Sequence, residues 1–227
     1  MTDSATIPSP DGDRRAVVMS GSAGRQPDGP GSTGPELSAA GLLTARLRLT
    51  PVADDDFGDL FALHTDPPAF AEDSTAPLSD RDQMRWVLTQ WIEGWQRHGR
   101  GYLSVRALDS AHARDEGGTR HASPVLPSGL LGVVGLSTLE SEGQPLLSAY
   151  WRLDPAATGR GVAGEAMSAV LADPRYGPQG REVVAVTAAR NLPSRSLAAR
   201  LGFLPAPPQR PVPGGRDGDV LLVRPAS

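Results

Sequence analysis

Residues 151–166, with the sequence WRLDPAATGRGVAGEA, decide the fold of this 227-residue chain. A predicted strand ends at Leu153, and a glycine-rich loop then leads into a helix that begins near Val162. The first turn of a helix has backbone N–H groups without partners and carries the positive end of the helix dipole. The loop and the helix start therefore predict a binding site for an anion such as a pyrophosphate.

The loop has three glycines, Gly159, Gly161 and Gly164, that leave the backbone open to close approach, and Arg160 adds a positive charge. A flexible connector without a ligand is an open alternative. The spacing also fits the dinucleotide fingerprint G-x-G-x-x-G, which requires a βαβ unit and an acidic residue about 20 positions later. Hairpins precede this loop instead, and the strand predicted at residues 181–188 (REVVAVTA) ends without an acid.

A second motif occupies residues 191–203 (NLPSRSLAARLGF). Asn191, the only asparagine of the chain, follows a buried strand, and Ser194 stands three residues later. Two interpretations are open: the two side chains cap a short helix, or they contact a ligand at the end of the strand.

Hydrophobic periodicity predicts alternating strands and helices, hence an α/β (α+β) fold. Asp54, Asp55 and Asp56 are expected to cap the first helix, which opens at about residue 57. A turn is expected at residues 140–145. Strands are predicted at residues 45–52, 102–108, 129–139, 146–153, 181–188 and 220–224, and further helices at 79–97, 162–173 and 193–201.

The two motifs, in this order and spacing, resemble those of the GNAT superfamily of N-acetyltransferases, especially the branch similar to ribosomal-protein N-terminal acetyltransferases. That family's loop, Gln/Arg-x-x-Gly-x-Gly/Ala, corresponds to residues 158–163 (TGRGVA), and its Asn-x-x-Ser…Leu-Gly-Phe pattern to residues 191–203. The resemblance covers residues 42–224. The chain departs from the family pattern with Thr158 in place of Gln or Arg, and with Leu147 where many relatives carry a strand glutamate.

The resemblance implies a GNAT fold with a mixed, mostly antiparallel central sheet, splayed between its fourth and fifth strands and flanked by helices. It implies acetyl-CoA as co-substrate, with its pantetheine arm between the strands at residues 146–153 and 181–188. The cofactor-binding residues are then Leu153, Gly159, Arg160, Gly161, Val162, Ala163, Gly164, Asn191 and Ser194.

The resemblance also implies direct transfer of the acetyl group to a primary amine, either of a protein N-terminus or of a small molecule. Glu140 lies on the hairpin end expected to face the acceptor and is kept as a weak candidate for the general base, since an ordinary solvated turn is the favoured interpretation of its position. The alternative function is a non-catalytic acyl-CoA-binding or interaction module with a GNAT-like fold.

Composition excludes several classes of function. The chain has no Cys, which rules out disulfides, thiolate nucleophiles and cysteine metal sites, and its histidines are not spaced as metal ligands. A net charge of −4 and a pI of about 5.6 give no basic face for nucleic acid. The longest apolar run, near residues 129–136, is far below the roughly 20 residues of a membrane span. We expect a cytoplasmic monomer or homodimer without a metal.

Residues 1–40 are rich in Gly, Pro, Ser and Asp and show no apolar periodicity. Such a segment cannot bury enough apolar surface to offset the entropy of ordering. We therefore predict a disordered N-terminal tail at residues 1–40, a GNAT acetyltransferase domain at 41–227, and a flexible polar insertion at about 109–128.

Overall fold

A computed structural model of the chain describes residues 3–7, 17–23, 41–108, 126–141 and 143–226. Strands β1 (Asp3–Ile7) and β2 (Val17–Ala23) pair antiparallel as a separate two-stranded sheet. These two strands are regular structure within the segment predicted to be a disordered N-terminal tail. The start of the domain at residue 41 stays a prediction. Most of the predicted insertion lies outside the described residues.

The main sheet has eight strands in the order β3-β4-β5-β6-β7-β8-β10-β9. Its neighbouring strands are antiparallel except for the parallel pair β7 and β8. The strands are β3 (Leu42–Leu43), β4 (Leu47–Pro51), β5 (Tyr102–Ala107), β6 (Leu130–Ser141), β7 (Gln144–Leu153), β8 (Val183–Ala188), β9 (Leu204–Pro205) and β10 (Asp219–Arg224). The α-helices are α1 (Phe57–Thr65), α2 (Arg81–His98), α3 (Val162–Ala172) and α4 (Leu192–Arg200).

The sheet divides between β7 and β8, the fourth and fifth of the strands predicted from the sequence. These two strands are paired only at Leu147 with Val183 and at Ser148 with Val184 among the described residues. Both strands run on past those pairs, β7 to Leu153 and β8 to Ala188, so a gap opens toward their carboxyl ends. The predicted mixed, mostly antiparallel sheet with its splay is confirmed.

Helix α2 starts two residues later than the pattern predicts. Asp80, rather than Ser79, is its N-cap, and the Asp80 carboxylate accepts a hydrogen bond from the backbone of Gln83 at 2.9 Å. The helix ends at Gly99, whose φ of 63° lies in the left-handed region. Its buried stripe packs in the main core and consists of Met84, Val87, Leu88, Trp91 and Trp95.

The hairpin of β6 and β7 is longer than predicted. Its ten paired positions run out to Ser141 opposite Gln144, so Glu140 lies within the ladder opposite Pro145 and not in a turn. The backbone ladder continues past the apolar run because strand pairing needs no apolar side chain. The turn therefore lies within the expected residues 140–145 but is shorter, because Glu140, Ser141, Gln144 and Pro145 belong to the ladder.

Candidate active site

The glycine-rich loop, on which the sequence predicts an anion site, connects β7 to α3. Gly159 and Gly161 have φ values of 75° and 77°, where a side chain is strained, and both residues are exposed. The Glu165 N–H donates to Gly161 O at 3.0 Å and closes the first turn. The N–H groups of Val162, Ala163 and Gly164 precede that bond and have no acceptor within the helix.

A second arginine lies beside this loop and is held there by an ion pair. Arg46, at the start of β4, forms an ion pair with Glu165 of α3 at 2.7 Å, and its Nε donates to the same carboxylate at 2.8 Å. Its guanidinium also donates to Arg160 O at 3.1 Å. The start of β4 is therefore fastened to the first turn of α3, with a cation beside the glycines.

A cavity of about 190 Å³ occupies the gap between β7 and β8. Its walls include Ala149–Arg152 of β7 and 185–188 of β8, the parts of both strands that have no ladder partner across the gap. The opposite wall is residues 70–76, which we call the strap. The remaining lining includes His64, Leu78, Val87, Tyr102, Ser137, Leu139, Ser148, Ser194, Pro213, Gly214, Arg216 and Asp219.

Arg152 fastens the strap to β7. Its side chain is only 9% exposed, and its guanidinium bonds Asp73 Oδ2 at 2.5 Å, Ala69 O at 2.6 Å and the Tyr150 hydroxyl at 2.9 Å. The guanidinium carbon also lies 3.6 Å from the centre of the Phe70 ring. The guanidinium of Arg152 therefore has its ion-pair and hydrogen-bond partners within the protein.

Asn191 fastens the strap to the other side of the gap. Its side-chain oxygen accepts from Ser194 N at 3.0 Å, which caps α4, and its side-chain nitrogen donates to Asp73 Oδ1 at 2.9 Å. Arg190 also bonds the Asp73 carbonyl, and Ser74 Oγ donates to Asp219 Oδ1 at 2.6 Å. Asn191 therefore caps α4, as one interpretation of the sequence predicted, and its side-chain nitrogen also binds the strap.

A chain of hydrogen bonds fixes the tautomer of His64, which is 3% exposed. Nδ1 donates to Leu60 O at 2.8 Å, so Nε2, at 3.3 Å from the Tyr150 hydroxyl, accepts. Burial, with the nearby charge of Arg152, lowers the pKa of His64 to about 3, and burial raises the pKa of Tyr150. Both groups are neutral at physiological pH, and His64 is a weak base.

The other predicted site residues fall in different places. Ser194 lines the cavity, and its hydroxyl oxygen accepts from Trp151 Nε1 at 3.2 Å, which leaves its own proton for a ligand. Leu153 ends β7 opposite Gly132, next to the open gap. Glu140 is exposed near the hairpin tip and is not among the residues that line the cavity. Leu147 is 1% exposed and belongs to the core.

Several cavity residues were not predicted, among them Asp73, Tyr150, Arg152 and Arg216. They come from distant parts of the chain, and only the tertiary fold brings them together. Tyr150 and Arg152, two residues apart on one strand, share a face by strand periodicity, and this was the signal available in the sequence.

Comparison with known proteins agrees with this geometry. The sequence profile described as the acetyltransferase (GNAT) domain matches residues 46–204, which is most of the chain. The chain belongs to the GNAT acetyltransferase family. No protein of curated function matches its sequence significantly.

Solved structures share the fold. A Bordetella pertussis protein described as a GnaT-family acetyltransferase is 26% identical with a TM-score of 0.62, and the match covers 82% of this chain and 99% of that one. The ribosomal α-N-protein acetyltransferase RimL, solved with coenzyme A, is 17% identical with a TM-score of 0.57, covering 81% and 96%. Spermidine N-acetyltransferase from Vibrio cholerae, solved with CoA and spermine, is 12% identical with a TM-score of 0.51, covering 79% and 94%.

Two other features are absent from the residues that the structure describes. No helix there has both the length and the apolar character that crossing a membrane requires. No cluster of three or more His, Asp or Glu in that part of the chain could hold a metal ion.

Proposed function

We propose that this chain transfers the acetyl group of acetyl-CoA to a primary amine. The observation that carries the proposal is the relation between the gap and the loop. The gap opens toward Leu153, and from there the chain leads through the Gly159–Gly164 loop into the N-terminus of α3. A pantetheine arm lying in the gap and a pyrophosphate at the loop would be two parts of one extended ligand.

The residues present fit a CoA-type ligand. The exposed backbone of Gly159 and Gly161 admits phosphate oxygens, the first N–H groups of α3 face them, and Arg160 adds positive charge. Arg46 lies beside the loop, with its charge paired to Glu165. The unpaired edges of β7 and β8 offer backbone donors and acceptors to the amides of a pantetheine arm. The proposed cofactor residues remain those given by the sequence, with Arg46 added.

Acetyl-CoA supplies a thioester that a neutral amine attacks directly, and the CoA thiolate leaves. Ser194 is available to donate a hydrogen bond to the departing thiolate sulfur without losing its proton, because the Trp151 N–H already occupies an acceptor site of its oxygen. The chain has no Cys, so no thiol acyl-enzyme can form.

The proton of the attacking ammonium group needs a route to solvent. Asp73 and Asp219 each accept two hydrogen bonds, one at each oxygen, and His64 is too weak a base. We propose that water takes this proton, with Glu140 kept as the sequence-based candidate for a general base. Glu140→Gln should lower kcat/KM at least tenfold if Glu140 is the base.

The second candidate function is an acyl-CoA-binding module without turnover. Leu147, buried where many GNAT relatives carry a strand glutamate, favours it. Both functions predict acetyl-CoA binding, and only the enzyme predicts amine-dependent release of CoA.

A thiol-release assay separates the two. Purified protein is given acetyl-CoA and a panel of protein N-terminal peptides, amino acids, polyamines and aminoglycosides, and free thiol is recorded with and without each amine. We expect release that depends on at least one amine. Tight acetyl-CoA binding by calorimetry with no amine-dependent release would assign the binding module.

A further inference from the structure

We propose that Arg216 binds an anionic group, a carboxylate or a phosphate, on the acceptor amine. This inference rests on the proposed function and names the acceptor class: a small amine with an anion a few bonds away. Arg216 lies in the loop between β9 and β10 and lines the cavity.

The guanidinium of Arg216 has unused hydrogen-bonding capacity. Its NH2 nitrogen is buried and has no hydrogen-bond partner among the described residues. Leaving a buried donor unpaired is unfavourable, and more so for a charged group. The NH2 nitrogen itself is closed to solvent, so an anion in the cavity would pair with the guanidinium through the atoms of Arg216 that line the cavity, or after a small movement of its side chain.

The nearest carboxylate does not supply this partner. Asp219 Oδ2 accepts from the backbone N–H of Arg216 at 3.0 Å, and Asp219 Oδ1 accepts from Ser74 Oγ at 2.6 Å. The Asp219 N–H returns a bond to Arg216 O at 2.9 Å. Asp219 therefore fixes the backbone of the loop, and Arg216 is among the residues that line the cavity.

The other charged groups of the cavity are already engaged. Arg152 pairs with Asp73, and His64 is neutral. A polyamine would place further positive charge near the Arg216 guanidinium. It would find no unengaged carboxylate to bind among Asp73 and Asp219. A carboxylate or phosphate would pair with the guanidinium, which suits planar two-point contacts.

The lining of the cavity also suits a small acceptor. Its volume of about 190 Å³ would have to admit part of the pantetheine arm as well as the reacting end of the acceptor. The apolar side chains of Leu78, Val87 and Leu139 line it together with the polar groups. An amine of amino-acid size, with an apolar body and one anion, fits this lining.

The test compares acceptors that differ only in the anion. We would measure kcat/KM for methionine against methioninamide and for phosphoethanolamine against propylamine, in the parent and in Arg216→Gln. Each anion-to-neutral ratio is compared between proteins, so differences in amine pKa cancel. We expect Arg216→Gln to lower at least one ratio tenfold or more, and Arg216→Lys to retain part of it. The pair that responds tells carboxylate from phosphate.

Arg210→Gln is the matched control. Arg210 lies in the same loop and pairs with Glu182 at 2.6 Å, and it is not among the residues lining the cavity. It should leave both ratios unchanged. Ratios that stay within twofold of the parent in Arg216→Gln would overturn the inference while leaving acetyl transfer intact.

A binding measurement covers the case in which no amine is acetylated. Calorimetry would compare N-acetylmethionine with N-acetylmethioninamide, and phosphoethanolamine with propylamine, in the presence of CoA. We expect tighter binding of at least one anionic member by the parent and loss of that preference in Arg216→Gln. Absence of any preference in the parent would contradict the role of Arg216, whereas absence of turnover alone would contradict only the proposed function.

Discussion

Asn191 Nδ2 lies 2.9 Å from Asp73 Oδ1, so one amide side chain both caps α4 and holds the strap over the gap. Asp73 receives Arg152 on its other oxygen, so the carboxylate joins β7 to the β8–α4 connection. The two interpretations that the sequence left open for Asn191 are thus not alternatives. The cap orients the amide, and we propose that the amide positions the cavity wall.

Asn191→Asp should destabilise the protein. The new carboxylate keeps the capping oxygen but faces Asp73 where a donor stood, in a site where Asn191 is 7% exposed. We expect the free energy of unfolding, from urea titration, to fall by about 1–3 kcal/mol. We also expect kcat/KM to fall at least threefold.

Asn191→Ser separates the effect of the new charge from the effect of losing the helix cap, because serine keeps a capping oxygen and carries no charge. It should be less destabilising than the aspartate variant. An aspartate variant with the stability and turnover of the parent would show that the contact with Asp73 does not hold the strap.

Gly161→Asp tests the loop. The carboxylate would stand where the phosphates are proposed to lie, and acetyl-CoA affinity by calorimetry should fall at least tenfold through repulsion and obstruction. Gly161→Asn has nearly the same shape without charge and tolerates φ of 77°, so it should lose less. Gly143→Asp, at a similar φ of 72° in the distant hairpin turn, should bind normally. Equal affinity in the parent and a folded Gly161→Asp would remove the loop from the site.

His64 should make stability fall in mild acid. Its pKa is about 3 in the folded protein and about 6.5 when exposed, so below pH 6.5 the unfolded chain binds more protons. Stability from this group is complete above pH 6.5 and is lost as the pH falls toward 3. Between pH 7 and pH 5 the loss is about 2 kcal/mol.

His64→Asn should flatten this dependence in urea titrations at pH 5, 6 and 7, whatever its stability at pH 7. The control is His98→Asn, because His98 is exposed at the end of α2 and should leave most of the slope in place. The same slope in the parent and in His64→Asn would mean that His64 is not held neutral by the fold.

Ser194→Ala should lower kcat at least tenfold with less than a twofold change in the KM for acetyl-CoA. The reason is that the proposed hydrogen bond to sulfur strengthens only as the C–S bond breaks and negative charge develops on the sulfur. Ser196→Ala, on the exposed face of the same helix, is the control and should behave as the parent. An unchanged kcat in Ser194→Ala would leave Ser194 as the acceptor for Trp151 alone.

The sequence predicts the elements that are local. The glycine spacing and strand-to-helix order at residues 151–166 identify the loop, because backbone conformation there depends on a few adjacent residues. The splay follows only from the family resemblance, since no local pattern tells where two strands stop pairing. The hairpin of β6 and β7 was mispredicted near Glu140 because polar residues can extend a ladder.

The walls of the cavity could not be predicted in the same way. Asp73 meets Asn191 across 118 positions of sequence, and Arg46 meets Glu165 across 119. Asp73 lies in a loop without periodicity, and His64 resembles a polar residue at a helix end until the fold buries it beneath Tyr150. Residues of this kind acquire their roles from tertiary contacts alone.

The central claim is that acetyl leaves CoA only to an amine. The most direct measurement gives the protein acetyl-CoA labelled with deuterium in the acetyl group, together with the amine panel, and follows the label by mass spectrometry. The account predicts that the label appears as an N-acetyl group on an amine, in equal amount to the CoA released, and that Gly161→Asp lowers both when acetyl-CoA is below saturation. Label that remains on CoA, or that appears only as acetate, would contradict it.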